Sequence, residues 1–463
     1  MDGARQRREV RVALALAAAG LILFAVCSAR PAAGELSYGF ASYYTAARLV
    51  RDGAEPARFY ENRWFLERSI DYGFVETPDV YFVNPPPMAL LFLPLTVFSP
   101  ERADVAWTLA NLALLAASLA VIFAALRDAG LQLDWRGPLP WALLALALVF
   151  NPIWENMRFG QLYVLLLLFL SLALRAYLRG QDPGLGFWLG ILLATKSAGL
   201  LLWVLPLLAR RYRALAWGAG TVAGVALLTV PLLGVEVWRE YVNRLPGLFN
   251  QPWSGVTAYQ TTTSLIHHTL HIEPRSNGGA SIVDWPGVVA PLATLTNAVI
   301  FGVAVLAGWV FARDVESGRL RLARFSLLSG LLVPLQPLGE EHHYTLMLPA
   351  VMASLLLALE LDVGARRGLM LLLASLATLL IAAPLHHTHP SLAPGFRALL
   401  AYPKLYGGIA LTGAMTIYLA AAPATWRATA RQAAARLGHA TGHASRLRRP
   451  ASALRLLDRS PRS

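Results

Sequence analysis

Residues 179–213 read RGQDPGLGFWLGILLATKSAGLLLWVLPLLARRYR, from Arg179 to Arg213. The apolar part, 184–209, is long enough for one membrane crossing, since about 20 residues span a hydrocarbon core of about 30 Å. Yet both of its ends are basic: Arg179 precedes it, and Arg210, Arg211 and Arg213 follow it. A single crossing would put the two clusters on opposite sides, against the rule that arginine-rich loops stay cytoplasmic. A hairpin of two short helices, turning near Lys196-Ser197, keeps both clusters inside. It also sets Lys196 at depth beside a water-filled cavity, because a lysine in lipid costs about 2.5–3.5 kcal/mol.

The rest of the chain agrees with a membrane setting. Hydrophobic residues make up 56% of it and charged residues 14%, against about 25% charged in soluble domains. A net charge of +13 invites a nucleic-acid partner, but its distribution argues against one. Nine arginines lie in Trp426–Ser463 beside one acid, Asp458, and the others cluster in short loops between apolar runs. That is the pattern of topology signals, with membrane lipid as the partner of the tail. Cys27 is the single cysteine, so there is no disulfide framework. Residues 12–29 lack a convincing Ala-x-Ala cleavage site and read as a retained first helix.

Arg5, Arg7, Arg8 and Arg11 place the N-terminus on the cytoplasmic side of the inner (plasma) membrane. The first span, about 12–30, exits, and 31–83 form a large outer loop. A second, about 85–99, returns to a tight inner loop at Ser99–Ala103, and a third, about 104–126, exits. Residues 138–150 are too short to cross and read as a half-membrane or interfacial piece, after which 161–178 enters. Beyond the hairpin, 214–234 exits to a second outer loop, 235–286; then 288–312 enters, 325–338 exits, 344–361 enters, 368–384 exits and 402–423 enters. The fold expected is an all-α polytopic bundle of about ten to twelve hydrophobic segments with amphipathic outer-loop helices. It forms one domain over 1–423, followed by a basic, disordered cytoplasmic tail over 424–463.

This topology sends all four polar clusters, 35–84, 151–161, 236–285 and 336–344, to the outer face. The first opens with the aromatic segment 38–48, containing Tyr43 and Tyr44, which suits either an interfacial helix or an aromatic belt. It ends in Asp79-Val80-Tyr81-Phe82-Val83-Asn84-Pro85-Pro86-Pro87. The prolines fix a helix start, and Asp79 among aromatics is a candidate general base with a raised pKa. Asn156, Arg158, Gly160 and Gln161 suit hydroxyl or phosphate oxygens, or else a capped helix with a snorkelling arginine. Gln260-Thr261-Thr262-Thr263-Ser264, with His267 and His268 near Trp238, Trp253 and Trp285, suits a carbohydrate site or an interface. Glu340, Glu341, His342 and His343 form a substrate- or phosphate-binding group, a divalent-metal group or a plain interfacial cluster. No HExxH, Gly-rich phosphate loop or Asp-x-Asp motif occurs, so a phosphate donor has to arrive through the lipid.

Several pieces recur in a definite order: Phe40 to Ala47 followed by Gly53 and Tyr60; Asn84-Pro85-Pro86 with Leu93-Pro94-Leu95; Gly160-Gln161 before a leucine run. Gly190 to Lys196, the basic turn at Arg210–Arg213, Gln260 before Ser264-Leu265, and Pro337 to His342-His343-Tyr344 complete the set. Together they resemble glycosyltransferase family 87, polytopic GT-C enzymes that include polyprenyl-phosphate-mannose-dependent α-mannosyltransferases. The likeness covers most of residues 35–350. It implies inverting transfer of a sugar, mannose first, from a polyprenyl-phosphate donor to a hydroxyl of a glycolipid or glycan acceptor at the outer face, without a cofactor. On this reading Lys196, Arg158, His342 and His343 face the donor phosphate, and Tyr43, Tyr44, Asn84, Gln161 and Gln260 bind substrate. The departures concern the base. Gly39 stands where the family usually carries Asp, Gln336-Pro337 where it has Ser-Pro, Glu340 where it has Trp, and Tyr163 where Asn is common. Either Asp79, or next Glu341, supplies the base, or activity has been lost; Gly39→Asp is then expected to restore some turnover when Asp79 is replaced. A non-catalytic glycolipid-binding scaffold and a lipid-linked glycan transporter or flippase are the rivals. The latter predicts gating charges and repeat symmetry that the sequence does not display.

Overall fold

Proline sets many of the helix starts. Pro87, Pro100, Pro140, Pro152, Pro183 and Pro349 each occupy one of the first two helical positions, where the missing N–H is an orphan anyway and φ is pre-set. The computed structural model describes residues 3–421 apart from 83, 198, 251–254, 274–280, 311–316 and 386. The expected tail at 424–463 lies outside the described residues. Among the described residues every regular element is helical, and six helices are long and apolar enough to cross a membrane. The chain is a polytopic all-α membrane protein.

The helices run in this order: α1 Gly3–Phe24, prolonged to Ala32 through a π-helical turn; α2 Tyr38–Arg51; α3 Asn62–Asp71; α4 Pro87–Leu91; α5 Pro100–Asp128; α6 Leu139–Leu148; α7 Asn151–Arg158; and α8 Tyr163–Leu178. They continue with α9 Asp182–Thr195; α10 Val204–Leu208; α11 Tyr212–Leu233; α12 Glu236–Arg244; α13 Thr262–Leu270; α14 Pro286–Val310; α15 Gly318–Ser329; α16 Leu348–Glu360; and α17 Ala365–Ala382. A last helix covers 403–421.

Ion pairs gather the basic ends at one face. Asp128 at the end of α5 accepts from Arg175 at 2.9 Å and Arg179 at 2.8 Å. Asp182 pairs with Arg211, and Arg319 pairs with Glu360 and donates to the Gly130 carbonyl. The hairpin lies between these clusters as expected. Helix α9 rises from Asp182, the chain turns between Lys196 and Gly199 (φ +85°), and α10 returns to Arg210. Glycines allow its close packing on α11. A Cβ at Gly190 would lie 2.7 Å from the Gly218 carbonyl oxygen, and one at Gly186 would meet the Ala214 carbonyl. This is a small-xxx-small contact, which lets two membrane helices touch backbone to backbone.

The opposite, loop-bearing face corrects three expectations. First, 85–99 does not cross. It forms α4 and a 3₁₀ turn, Leu93–Val97, packed on α2, with the Thr96 and Phe98 carbonyls taken by Arg51 and Tyr44. Three consecutive prolines and Pro94 leave no stretch long enough for a continuous helix. Second, the turn at Ser99–Ala103 is on the loop face: Ser37 donates its N–H and hydroxyl to the Asp104 carboxylate at 3.1 and 2.7 Å. Helix α5 therefore descends to the arginine face, and 139–158 comes back, broken where Asn151-Pro152 starts a new helix. The number of crossings between Ala32 and Tyr163 keeps its parity, so the sides assigned downstream are unaffected. Third, α2 is not an interfacial helix. Residues 39–47 are buried on every side, so it is a core element of the outer layer.

Two faces predict opposite accessibility. With Cys27 replaced by Ser, Val75→Cys and Phe396→Cys on the loop face should react with an impermeant maleimide from one side. Val363→Cys on the arginine face should react only from the other; the three positions are 66%, 75% and 89% exposed. Equal labelling of Val75→Cys and Val363→Cys in intact cells would contradict the arrangement.

Candidate active site

The hairpin apex meets the proline stretch of the first loop. Lys196 is extended (φ −162°, ψ 134°), so its side chain leaves the helix axis, and its Nζ donates to Asn84 Oδ1 at 3.0 Å. Asn84 is held from below. The prolines after it supply no N–H donors, and phenols bind the local carbonyls instead: Tyr60 donates to Asn84 O at 2.8 Å and Tyr81 to Pro85 O at 2.9 Å. The ammonium also lies 5.9 Å from the Tyr43 ring centre and 5.5 Å from that of Tyr163, both cation–π distances. Tyr43 stacks on Phe92 and donates to Gln161 Oε1 at 2.7 Å. Tyr163 packs edge-on against His342 and His343, which stack on each other at 4.5 Å.

Two carboxylates bear on this cation. Asp79 accepts from the Val80 N–H at 2.8 Å. Burial raises its pKa from 3.8 to about 7; the Val80 hydrogen bond and Lys196 act downward, and the negative charge of Glu340 acts upward. Glu340 is itself raised, by burial first and against the pull of Lys196. Glu340 caps the turn at 341–347: its side chain accepts from the backbone N–H of His343, and its own N–H donates to His343 Nδ1 at 2.7 Å. His342 Nδ1 is buried, 3.6 Å from a Glu340 oxygen and without a hydrogen bond. An unsatisfied buried polar atom costs free energy, and His342 is among the residues that line a cavity at this point.

Beside this group lies a cavity of about 300 Å³, lined by Asn151, Glu155, Arg158, Glu340, Glu341 and His387 among others. A second, of about 470 Å³, shares the α7 residues Asn151, Glu155, Arg158 and Phe159 and reaches Glu35 and Tyr38. Glu341 is turned to other work than Glu340. Its Oε1 receives Asn151 Nδ2 and Lys404 Nζ, both at 2.6 Å. Lys404, fully buried, also donates to the Ile381 and Ala383 carbonyls. Among the described residues no group of three or more His, Cys, Asp and Glu is placed to hold a metal ion.

The structure thus brings together Asp79, Lys196, Asn84, Tyr43, Gln161, His342 and His343. Arg158 stands apart on the cavity wall, largely exposed and 3.8 Å from Glu155. Tyr44 is occupied by the Phe98 carbonyl and lies against Phe40 and Phe74. Gln260 is a buried tie: its amide donates to Thr257 O and Ala401 O, and its Oε1 receives the Lys404 N–H. Sequence reasoning passed over Tyr163 as a site residue and Lys404, and it named Glu340 only within the cluster at the paired histidines. One signal was available for Lys404. Only two of the forty basic residues are lysines, Lys196 and Lys404, and both sit in apolar surroundings.

Gly39 has a spatial explanation. Its N–H donates to the Phe159 carbonyl at 2.8 Å. A Cβ there would lie 2.7 Å from that same oxygen and would collide with the Gln161 amide. A side chain at 39 would have to displace the Gln161 amide and the Phe159 carbonyl, which argues against the expected rescue. Gly39→Asp should instead lower stability, by about 1–3 kcal/mol as overpacking does, and should loosen the Tyr43–Gln161 contact. Melting in detergent and transfer assays check this; a fully stable, more active Gly39→Asp variant would contradict it.

The acids, amides and imidazoles of this polytopic helical membrane protein thus gather at one face. Comparison with known proteins identifies its family. The profile of glycosyltransferase family 87 matches residues 82–337, more than half of the chain. A relative from Mycobacterium tuberculosis (strain ATCC 25618 / H37Rv) is a polyprenol-phosphate-mannose-dependent α-(1-2)-phosphatidylinositol mannoside mannosyltransferase. It is 29% identical over 317 residues, a stretch that is 64% of this chain and 66% of the relative. No solved structure matches the chain. The hairpin lysine and the Asn84-Pro85-Pro86 turn that holds it both fall inside the matched region, and the chain belongs to glycosyltransferase family 87.

Proposed function

We propose that the protein transfers a mannosyl group from a polyprenyl-phosphate donor to an acceptor hydroxyl, at the face of the membrane that carries the large loops. The observation that carries this reading is one buried ammonium, Lys196, held by Asn84 within electrostatic reach of the Asp79 carboxylate and beside Tyr163, against which two stacked imidazoles pack. The donor's polyprenyl chain stays in lipid and its phosphate approaches Lys196. Asp79 takes the proton of the acceptor hydroxyl as that oxygen bonds to the anomeric carbon. The bond from that carbon to the phosphate oxygen breaks, the configuration inverts, and the phosphate leaves with the electron pair. It departs as a stable anion, so no strong general acid is required; the cation stabilises the growing charge. Neutral His342 and His343 can donate or accept hydrogen bonds at the same oxygens. The arginine-rich loops on the other side support placing the site at the outer face of the membrane.

The test uses membranes containing the protein and radiolabelled polyprenyl-phosphate mannose. Transfer of label into a glycolipid or glycan fraction, lost in the Asp79→Asn variant, is the expected result. Binding of the donor without any transfer would favour a scaffold. Movement of intact donor across a vesicle bilayer would favour a flippase.

A further inference from the structure

A third cavity, of about 340 Å³, lies at the arginine-rich face, far along the hairpin from Lys196. Its walls come from the returning arm α10, from α14 and from α15, and are lined by Val204, Leu205, Leu208 and Leu327. Two guanidinium groups, Arg211 and Arg324, also line it. Arg211 gives its Nε to Asp182 at 2.5 Å and packs on Tyr177, but its Nη2 is buried and has no hydrogen-bond partner among the described residues. Arg324 donates its Nε to the Gly308 carbonyl at 3.0 Å and lies over the Trp309 ring. Leaving a buried charged donor unpaired is costly, so the site is built for an acceptor that is not part of the chain.

Its surroundings identify the acceptor. Helix α14 forms one wall, and its other faces are apolar and open: Val299, Val303, Leu306 and Val310 are 54–62% exposed. The same helix thus borders both the cavity and the lipid around the bundle. Trp309 sits at its rim, the depth at which tryptophan meets headgroups. The basic loops put this face against the anionic leaflet. We propose that the cavity holds the phosphate and glycerol backbone of an anionic phospholipid, anchored by Arg211 and Arg324, with its acyl chain against Leu208 and Leu327. A free phosphate would gain nothing from the apolar walls, and a zwitterionic headgroup would bring a cation towards two others. Asp182 opposes the anion, but the Arg211 Nε already engages it. The site is independent of the transfer chemistry and stands or falls apart from it.

The full chain, purified in detergent, is titrated with phosphatidylglycerol, phosphatidylcholine or inorganic phosphate. Retained lipid is read by native mass spectrometry, and stability by thermal melting. Phosphatidylglycerol should bind and raise the melting temperature; the other two should not. Arg211→Gln with Arg324→Gln should weaken phosphatidylglycerol by about tenfold or more, the loss of charge-assisted hydrogen bonds. Because Arg211→Gln also strips Asp182 of its partner, Leu208→Trp provides a second test: it fills the cavity and leaves both arginines in place. It should abolish the phosphatidylglycerol shift. A full shift in Leu208→Trp, or an equal one with phosphatidylcholine, would overturn the proposal. A shift reproduced by inorganic phosphate alone would replace it with a free-anion site.

Discussion

Replacing Lys196 by Met should lower turnover by about a hundred- to a thousandfold, the usual cost of removing one group that stabilises transition-state charge. The fold should survive. Met nearly matches the lysine stem in volume, and it relieves the cost of an amine held between the Tyr43 and Tyr163 rings. The one hydrogen bond lost is to Asn84 Oδ1. Melting temperature should thus hold or rise while transfer collapses, a split that a structural lysine would not produce. Lys196→Arg keeps the charge and should retain part of the rate, although its planar fork does not reproduce a point charge. Donor affinity and turnover unchanged in the Met variant would remove Lys196 from the phosphate site.

The sequence made Lys196 legible because two physical rules converged on it: the charge of short loops and the cost of a lysine in lipid. It made 85–99 illegible for a related reason. That segment is apolar enough to cross, and hydropathy does not distinguish lipid from a protein interior. Only the proline spacing hinted that α4 and the following 3₁₀ turn would stay on the loop face, packed on α2. The same ambiguity turned α2 from a core helix into an expected interfacial one, since aromatics at helical spacing suit both. The pairing of Glu341 with Lys404 joins residues 63 positions apart, and no local pattern announces it. Gly39 shows the converse limit. Its sequence position suggested a missing carboxylate, whereas its surroundings explain a missing Cβ.

Asp79→Asn should abolish transfer, by about a hundred- to ten-thousandfold if Asp79 is the general base, and should do so without harming the fold. Two pH dependences separate this from a structural loss. A base works only when ionised. With its pKa raised to about 7, kcat/KM in the parent should fall about tenfold per unit below that value and level off above it. The stability effect has the opposite sign. The ordinary value is 3.8 and the folded value is higher, so between them the folded state binds more protons than the unfolded one. Stability therefore declines as pH rises from about 4 to about 7, and the penalty is fully present above that range. Asn carries no charge to desolvate, so Asp79→Asn should melt at the parent temperature or higher at pH 8, with little difference at pH 4. Glu341→Gln provides the contrast. It leaves Lys404 buried without its carboxylate, and breaking such a pair costs about 3–5 kcal/mol, so its activity loss should follow a loss of folded protein. An inactive Asp79→Asn that also melts early at pH 8 would point to a structural aspartate. Full turnover in Asp79→Asn would exclude it as the base and shift attention to Glu340, the other carboxylate in reach of Lys196.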